Sequence, residues 1–277
     1  MSIELGKFNT LEVVKTVDFG VYLDGKEEGE ILLPTRYVPE NCVPGDLLNV
    51  FLYLDNEERL IATTLTPLVQ VGEFACLEVA WVNEFGAFLN WGLMKDLFVP
   101  FREQKMKMQV GKSYVVHAHI DEESYRIVAS AKIERYLSKE TPTYQAGAEV
   151  DILIWQKTDL GFKAIIDQQF PGLLYDSEIF QSLRTGMTLK AFVKQVRPDG
   201  KIDLILQKPG AAKVDDFASS LLDYIKEHGG AAQLNDKTPA DDIYQIFGVS
   251  KKTFKKAVGD LYKKHLIVLT DNGLKLA

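Results

Sequence analysis

One set of landmarks recurs three times in a single register, and this limits the chain to a tandem architecture before composition is considered. An apolar, β-branched run, a turn at an aromatic-Gly or Leu-Gly pair, and a resumed strand occur at residues 13–23 around Phe19-Gly20. The same succession returns at 77–89 around Phe85-Gly86 and at 152–164 around Leu160-Gly161. The turn glycines are spaced by 66 and 75 residues, and a later glycine preceding a strand, Gly45, Gly111 and Gly186, keeps those offsets. An acidic or Pro-Asp-Gly turn then leads into a last strand at 55–61, 121–128 and 198–205. Five short strands in about 65–75 residues is the size of a small Greek-key barrel of the OB type. The expectation is three tandem five-stranded barrels, at residues 1–66, 67–140 and 141–210.

Residues 211–277 change period. Phe217, Leu221, Leu222 and Ile225 fall at helical spacing, and Gly229-Gly230 ends that helix. A second helix is expected with Thr238 as N-cap and Pro239 as its first residue, ending at Gly248; a third is capped by Ser250 and runs to about Lys264. Two short apolar strands, 266–269 and 274–276, flank Asp271-Asn272-Gly273. Three helices followed by a hairpin is the order of a winged helix-turn-helix. The fold class is therefore mainly β with a C-terminal α+β domain, joined by short linkers near Thr66-Pro67, 141–143 and 208–210.

Charge decides where a polyanion could approach. The chain of 277 residues carries a net charge of −7, but residues 1–70 account for −7, 71–140 for −1, 141–210 for zero and 211–277 for +1. Acid is concentrated at the front, whereas residues 251–265 carry +5. Phosphate binding needs local positive potential, so the distribution outweighs the sum. No apolar run is long enough to span a bilayer and no secretory leader is evident, so a cytoplasmic location is expected. Cys42 and Cys76 are far apart in apolar contexts and are expected as buried free thiols.

OB barrels bind unpaired bases on exposed rings while nearby cations neutralise phosphates. Phe85-Gly86-Ala87-Phe88 resembles the "FGAF" turn of the RNA-binding repeat named after ribosomal protein S1, and Phe19-Gly20-Val21-Tyr22 keeps both ring positions. The third repeat has Leu160-Gly161-Phe162-Lys163 instead. Its segment 172–179 resembles the "GLVHISEL" stretch of the same family, with Tyr175 where a base-contacting His is usual. Core packing is the ordinary use of such rings. In the tail, Lys251, Lys252, Lys255 and Lys256 form a stripe on the third helix, with Phe254, Ala257, Val258 and Leu261 on the opposite face. A lysine run is often a solvated face; its concentration in an otherwise acidic protein favours phosphate contact. His117 and His119 lie on one strand face, but no further ligand accompanies them. There is no phosphate-cradling loop or nucleophile elbow, so no enzyme activity, catalytic residue, metal or cofactor is expected.

Three S1-like repeats ending in a winged helix, with residues 234–237, 241–243 and above all 247–259, resemble the bacterial conserved virulence factor B (CvfB) family. The resemblance implies a post-transcriptional regulator in which the third barrel and winged helix cooperate on RNA. The expected function is single-stranded RNA binding of low sequence specificity. Tyr175 is expected to stack a base, with Lys163, Lys194, Arg197 and Lys201 as phosphate contacts near the third barrel. The lysines at 251, 252, 255 and 256 extend the track, and Phe85, Phe88 and Arg126 form a second, weaker platform. Three rivals remain open: a DNA-binding transcription regulator, an adaptor docking on the ribosome or an RNA-processing enzyme through the acidic first barrel, and a metal-dependent nuclease.

Overall fold

The computed structural model describes residues 3–179, 181–207, 212–270 and 273–277, of which 212–216 by their backbone alone. In the first repeat the alternating runs become β1 (Phe8–Val17), β2 (Gly20–Asp24), β3 (Glu30–Pro34), β4 (Leu47–Leu54) and β5 (Leu60–Thr63). The second repeat forms β6 (Phe74–Val82), β7 (Gly86–Asn90), β8 (Leu97–Pro100), β9 (Ser113–Ile120) and β10 (Ile127–Ser130). The third forms β11 (Glu149–Thr158), β12 (Gly161–Ile166), β13 (Phe170–Tyr175), β14 (Thr188–Val196) and β15 (Ile202–Ile205). Each set closes into a five-stranded barrel of identical strand order, with the third and fifth strands parallel. The three expected barrels are present.

Two backbone devices recur in all of them. The first strand is irregular at Val13/Lys15, Val79/Trp81 and Ile154/Gln156. One extra residue there reverses which way the following side chains point. The turn glycine also approaches a carbonyl on the third strand. A Cβ added at Gly20, Gly86 or Gly161 would lie 2.1, 2.2 or 1.9 Å from the oxygen of Leu33, Val99 or Leu174. Only a residue without Cβ fits. The residue just before the glycine is left outside the barrel, and Phe19, Phe85 and Leu160 are 56%, 65% and 63% exposed.

The chain divides into two compact units. One comprises Met1–Lys139 with Gln168–Phe170 and Thr185–Met187; the other comprises Glu140–Asp167, Pro171–Arg184 and Thr188–Ala277. Within the first unit the two barrels share a core. Phe51 and Tyr53 on β4 join Leu77, Val79, Leu89 and Trp91 of the second barrel, and Phe51 meets the Trp91 ring edge-on at 5.7 Å. Lys95 Nζ donates to the Asp55 carbonyl at 2.7 Å and ties the same two barrels at the surface.

The second unit carries the tail: α1 (Ala212–Glu227), β16 (Ala231–Ala232), α2 (Ala240–Phe247), α3 (Lys251–Lys263), β17 (Ile267–Thr270) and β18 (Gly273–Leu276). Phe217, Leu221, Ile225, Ile243, Phe254, Ala257 and Leu261 form its buried core. Gly248 ends α2 in the left-handed region at φ 65°, and Ser250 Oγ caps α3 by accepting from the Thr253 N–H at 3.2 Å. The start of α2 departs from expectation. Thr238 does not cap it, because its hydroxyl accepts from the Asn235 N–H at 2.9 Å, and Pro239 is left as the extended residue before Ala240. Residues 208–210, expected as a linker, and the turn positions Asp271 and Asn272 lie outside the described residues. Cys42 and Cys76 are free, as expected, but half-buried rather than buried. No helix among the described residues is long and apolar enough to cross a membrane.

The glycine contact makes a direct prediction. Gly86→Ala pushes β7 away from β8 and is expected to cost about 2–3 kcal/mol by overpacking. Urea unfolding followed by tryptophan fluorescence checks it, since Trp81 and Trp91 both report on the second barrel.

Candidate nucleic-acid interface

The irregularity in β6 determines the face of the second barrel. Simple alternation from the buried Leu77 and Val79 places Trp81 inside; the extra residue turns it outward, where it is 44% exposed. Trp81 pairs across the sheet with Phe88, and Phe88 pairs with Phe98. Their rings form a continuous row. Trp81 and Phe88 stack with centroids 3.7 Å apart and planes 3° from parallel, while Phe88 and Phe98 are 4.8 Å apart at 33°. Exposed Phe85 and Phe101 flank the row. The Trp81 indole N–H donates to Asp96 Oδ2 at 2.8 Å, which fixes the ring plane. The corresponding cross-strand positions are Lys15, Tyr22 and Leu32 in the first barrel, and Gln156 and Lys163 in the third. Base stacking needs exposed ring surface, and here Trp81 supplies it with Phe85 and Phe101 nearby, while Phe88 and Phe98 are half-buried and support the Trp81 ring from one side.

Arg126 borders this face, but its partner belongs to the first barrel. Its Nε lies 2.9 Å from Glu58 Oε2, and Lys95 Nζ lies 3.3 Å from the other oxygen of the same carboxylate. Trp81, Phe85, Phe88, Asp96, Arg126 and Glu58 are among the residues lining a cavity of about 740 Å³.

The third barrel differs in both rings and charges. Tyr175 sits half-buried at its surface, not inside the barrel, and its hydroxyl accepts from Arg197 Nη2. The Arg197 guanidinium also lies 5.8 Å from the Tyr175 ring centroid, so a cation stands beside one side of this ring. Arg197 is held from below by the buried Asp203, whose oxygens accept from Nε and Nη2 at 2.9 Å each, while Gln195 donates to the same carboxylate at 2.7 Å. Lys194 pairs with Glu178 at 2.6 Å and Lys201 with Asp199 at 2.9 Å. Lys163 Nζ lies 5.0 Å from the Trp155 ring centroid. Exposed pairs such as those of Lys194 and Lys201 contribute about 1 kcal/mol or less, so an arriving phosphate can displace the carboxylate.

On α3 the expected two faces are present. Phe254, Ala257 and Leu261 are buried and Val258 is half-buried, while Lys252, Lys255 and Lys256 are exposed. Lys251, half-buried, borders a cavity of about 600 Å³ together with Gln181 and Ser182, which follow β13 of the third barrel. No ion pair or hydrogen bond from the four lysine side chains occurs among the described residues, in contrast to the paired cations of the third barrel.

Phe85, Phe88 and Arg126, expected from the sequence, line the cavity of about 740 Å³ together with Trp81, Phe98 and Asp96, which no motif singles out. The available signal was hairpin register: counting back from Phe85-Gly86 pairs Trp81 with Phe88, provided that the extra residue in β6 is allowed for.

Comparisons with known proteins bear on both ends of the chain. The model of an S1 domain matches residues 5–65, and that of a CvfB-like winged helix domain matches residues 219–276. The Bacillus subtilis protein YitL is 30% identical over 273 residues, covering 95% of this chain and 90% of that protein. Conserved virulence factor B of Staphylococcus epidermidis is 21% identical over 272 residues, covering 95% and 91%. A solved multidomain protein with nucleic acid binding domains from Streptococcus pneumoniae is 24% identical and covers 99% of this chain and 98% of that one, with a TM-score of 0.44.

The histidine pair on β9 has a packing environment. His117 is buried between the Phe74 ring, at 4.6 Å, and the Tyr136 ring, at 4.1 Å; His119 Nε2 lies 3.2 Å from the Tyr136 hydroxyl. No group of three or more metal-ligating side chains occurs among the described residues. Burial, reinforced by the neighbouring His119, lowers the His117 pKa to about 4. A histidine whose folded pKa is depressed is protonated only in the unfolded chain between about 6.5 and 4. Its contribution is therefore complete above pH 6.5 and is lost as pH falls to 4, to a total of about 3 kcal/mol. An NMR titration of the His117 ring protons is expected to show no protonation at pH 5.5, and a His117→Phe variant to lose less stability between pH 6.5 and 4.5.

Proposed function

Because the chain belongs to the family of YitL and conserved virulence factor B, with an S1 domain at one end and a winged helix at the other, we propose that it binds single-stranded RNA and acts as a post-transcriptional regulator. The observation that carries this reading is the Trp81–Phe88–Phe98 row, whose Trp81 ring is exposed, with exposed Phe85 at its edge. A sheet face of rings on a closed OB-type barrel accommodates unpaired bases, whose π-faces are exposed only when the strand is single. Every base has such a face, so sequence specificity is low. Arg126 supplies a cation at the edge of the row once Glu58 is displaced.

The lysines of α3, without a side-chain partner among the described residues, add a sequence-independent attraction within the second unit. In the proposed binding mode they hold phosphates, with Lys163, Lys194 and Lys201 extending the contact on the third barrel. Tyr175 and Arg197 act there as a joined pair. Duplex DNA is a second reading, favoured by the stripe lying on the third helix of a winged helix. Its outer positions are lysines rather than the Arg, Asn or Gln that read base edges bidentately, which favours backbone contact.

Filter binding at several salt concentrations separates the two contributions. Trp81→Ala is expected to weaken single-stranded RNA binding by about 1–3 kcal/mol with an unchanged salt slope. Changing Lys251, Lys252, Lys255 and Lys256 together to Glu is expected to reduce the slope by roughly 3, at about 0.7 per lost phosphate contact. Unchanged affinity in Trp81→Ala removes the ring platform from the proposal, and an unchanged slope removes the helix. Duplex DNA displacing bound RNA at equal concentration would favour the second reading.

A further inference from the structure

Carboxylates are poor neighbours for a polyanion, yet two line the cavity beside the aromatic row. Glu58 comes from the first barrel and Asp96 from the second. Glu58 stands on a turn in the left-handed region at φ 63°; the matching turn positions in the other barrels, Tyr125 at 56° and Gly200 at 78°, share the conformation but carry no charge. Its two oxygens are taken up by Arg126 and Lys95. Asp96 is only half engaged. Its Oδ2 accepts from Trp81, while Oδ1 makes no hydrogen bond among the described residues. The cavity thus offers stacking rings, two cations already paired with a carboxylate, and one available carboxylate oxygen at the edge of the Trp81 ring.

That combination suits a base better than a phosphate. A carboxylate accepts from the exocyclic amino group of cytosine, adenine or guanine, whereas uracil has no amino group and its O4 carbonyl would face the carboxylate with lone pairs. We propose that this cavity seats a single unpaired nucleobase of the RNA, stacked against the Trp81–Phe88 pair, and prefers a base whose amino group donates to Asp96. The proposal rests on the RNA-binding reading above and adds a preference at one position to otherwise permissive binding. The first barrel, despite its acidity, takes part by walling the cavity with Glu58. Holding the Trp81 ring is a second task of Asp96, and an asparagine retains an oxygen for that task.

The test uses the full chain and labelled decamers of cytidine and uridine, whose pyrimidine rings are of one size and differ in the amino or carbonyl group at C4. Fluorescence anisotropy at neutral pH is expected to show the cytidine decamer bound roughly fivefold tighter, the worth of one hydrogen bond. In Asp96→Asn the amide oxygen keeps the Trp81 N–H and the NH₂ is left to face the base, so the cytidine preference should be lost and turn toward uridine, with both decamers still bound. Trp81→Phe, which keeps a ring but removes the indole N–H, should retain the cytidine preference. A ratio near one in the unaltered protein, or a cytidine preference that survives Asp96→Asn, overturns the assignment while leaving RNA binding intact. An equal loss for both decamers in Asp96→Asn with the ratio preserved overturns it as well and leaves Asp96 only its grip on Trp81. Binding of neither decamer by the unaltered protein overturns the RNA reading itself.

Discussion

A backbone contact without room for a Cβ sets the second strand against the third in each of the three barrels: Gly20 against the Leu33 carbonyl, Gly86 against Val99 and Gly161 against Leu174. The second strand cannot slide past the third without losing this fit. The side chain just before the glycine is consequently held outside, and the residue two positions after it is set on the outer sheet face. The irregularity in the first strand completes the arrangement by turning the residue opposite that position outward. The backbone therefore presents one short row of side chains per barrel, and what the row can bind is a matter of which residues occupy it.

The three barrels fill the same frame differently. The second uses Trp81, Phe88 and Phe98, the first Lys15, Tyr22 and Leu32, and the third places Gln156 and Lys163 there. A wall of rings gains stacking energy with bases and is indifferent to salt; ammonium and guanidinium groups gain through counterion release and depend on it strongly. Charge pairing sharpens the contrast, since the cations on the third barrel are paired with Glu178, Asp199 and Asp203 while the outward lysines of α3 have no such partner among the described residues. The first barrel carries much of the acid and still contributes to the second barrel's face, because the shared core around Phe51 and Trp91 brings Glu58 to Arg126.

Much of the architecture is legible in the sequence because it depends on residues with few alternatives. Glycines that tolerate no Cβ recur at fixed offsets, and Gly248-Val249-Ser250 spells the end of one helix and the cap of the next. The ring row is harder to read. Period-two counting assigns Trp81 to the core beside Leu77 and Val79, and a single extra backbone residue, invisible in composition, reverses that assignment. Trp155 shows the opposite outcome: it sits at the irregularity itself and is 8% exposed. Net charge by segment also misleads at the scale of one site, since Arg126 is neutralised from 68 residues away in sequence by a glutamate of another barrel.

Zero-length ultraviolet cross-linking of single-stranded RNA to the full chain, followed by mass spectrometry of the joined peptides, tests the central claim most directly. The ring row predicts nucleotides attached within residues 81–88, at Trp81, Phe85 or Phe88. Cross-links confined to the third barrel, with Tyr175 modified and the second barrel untouched, would contradict it.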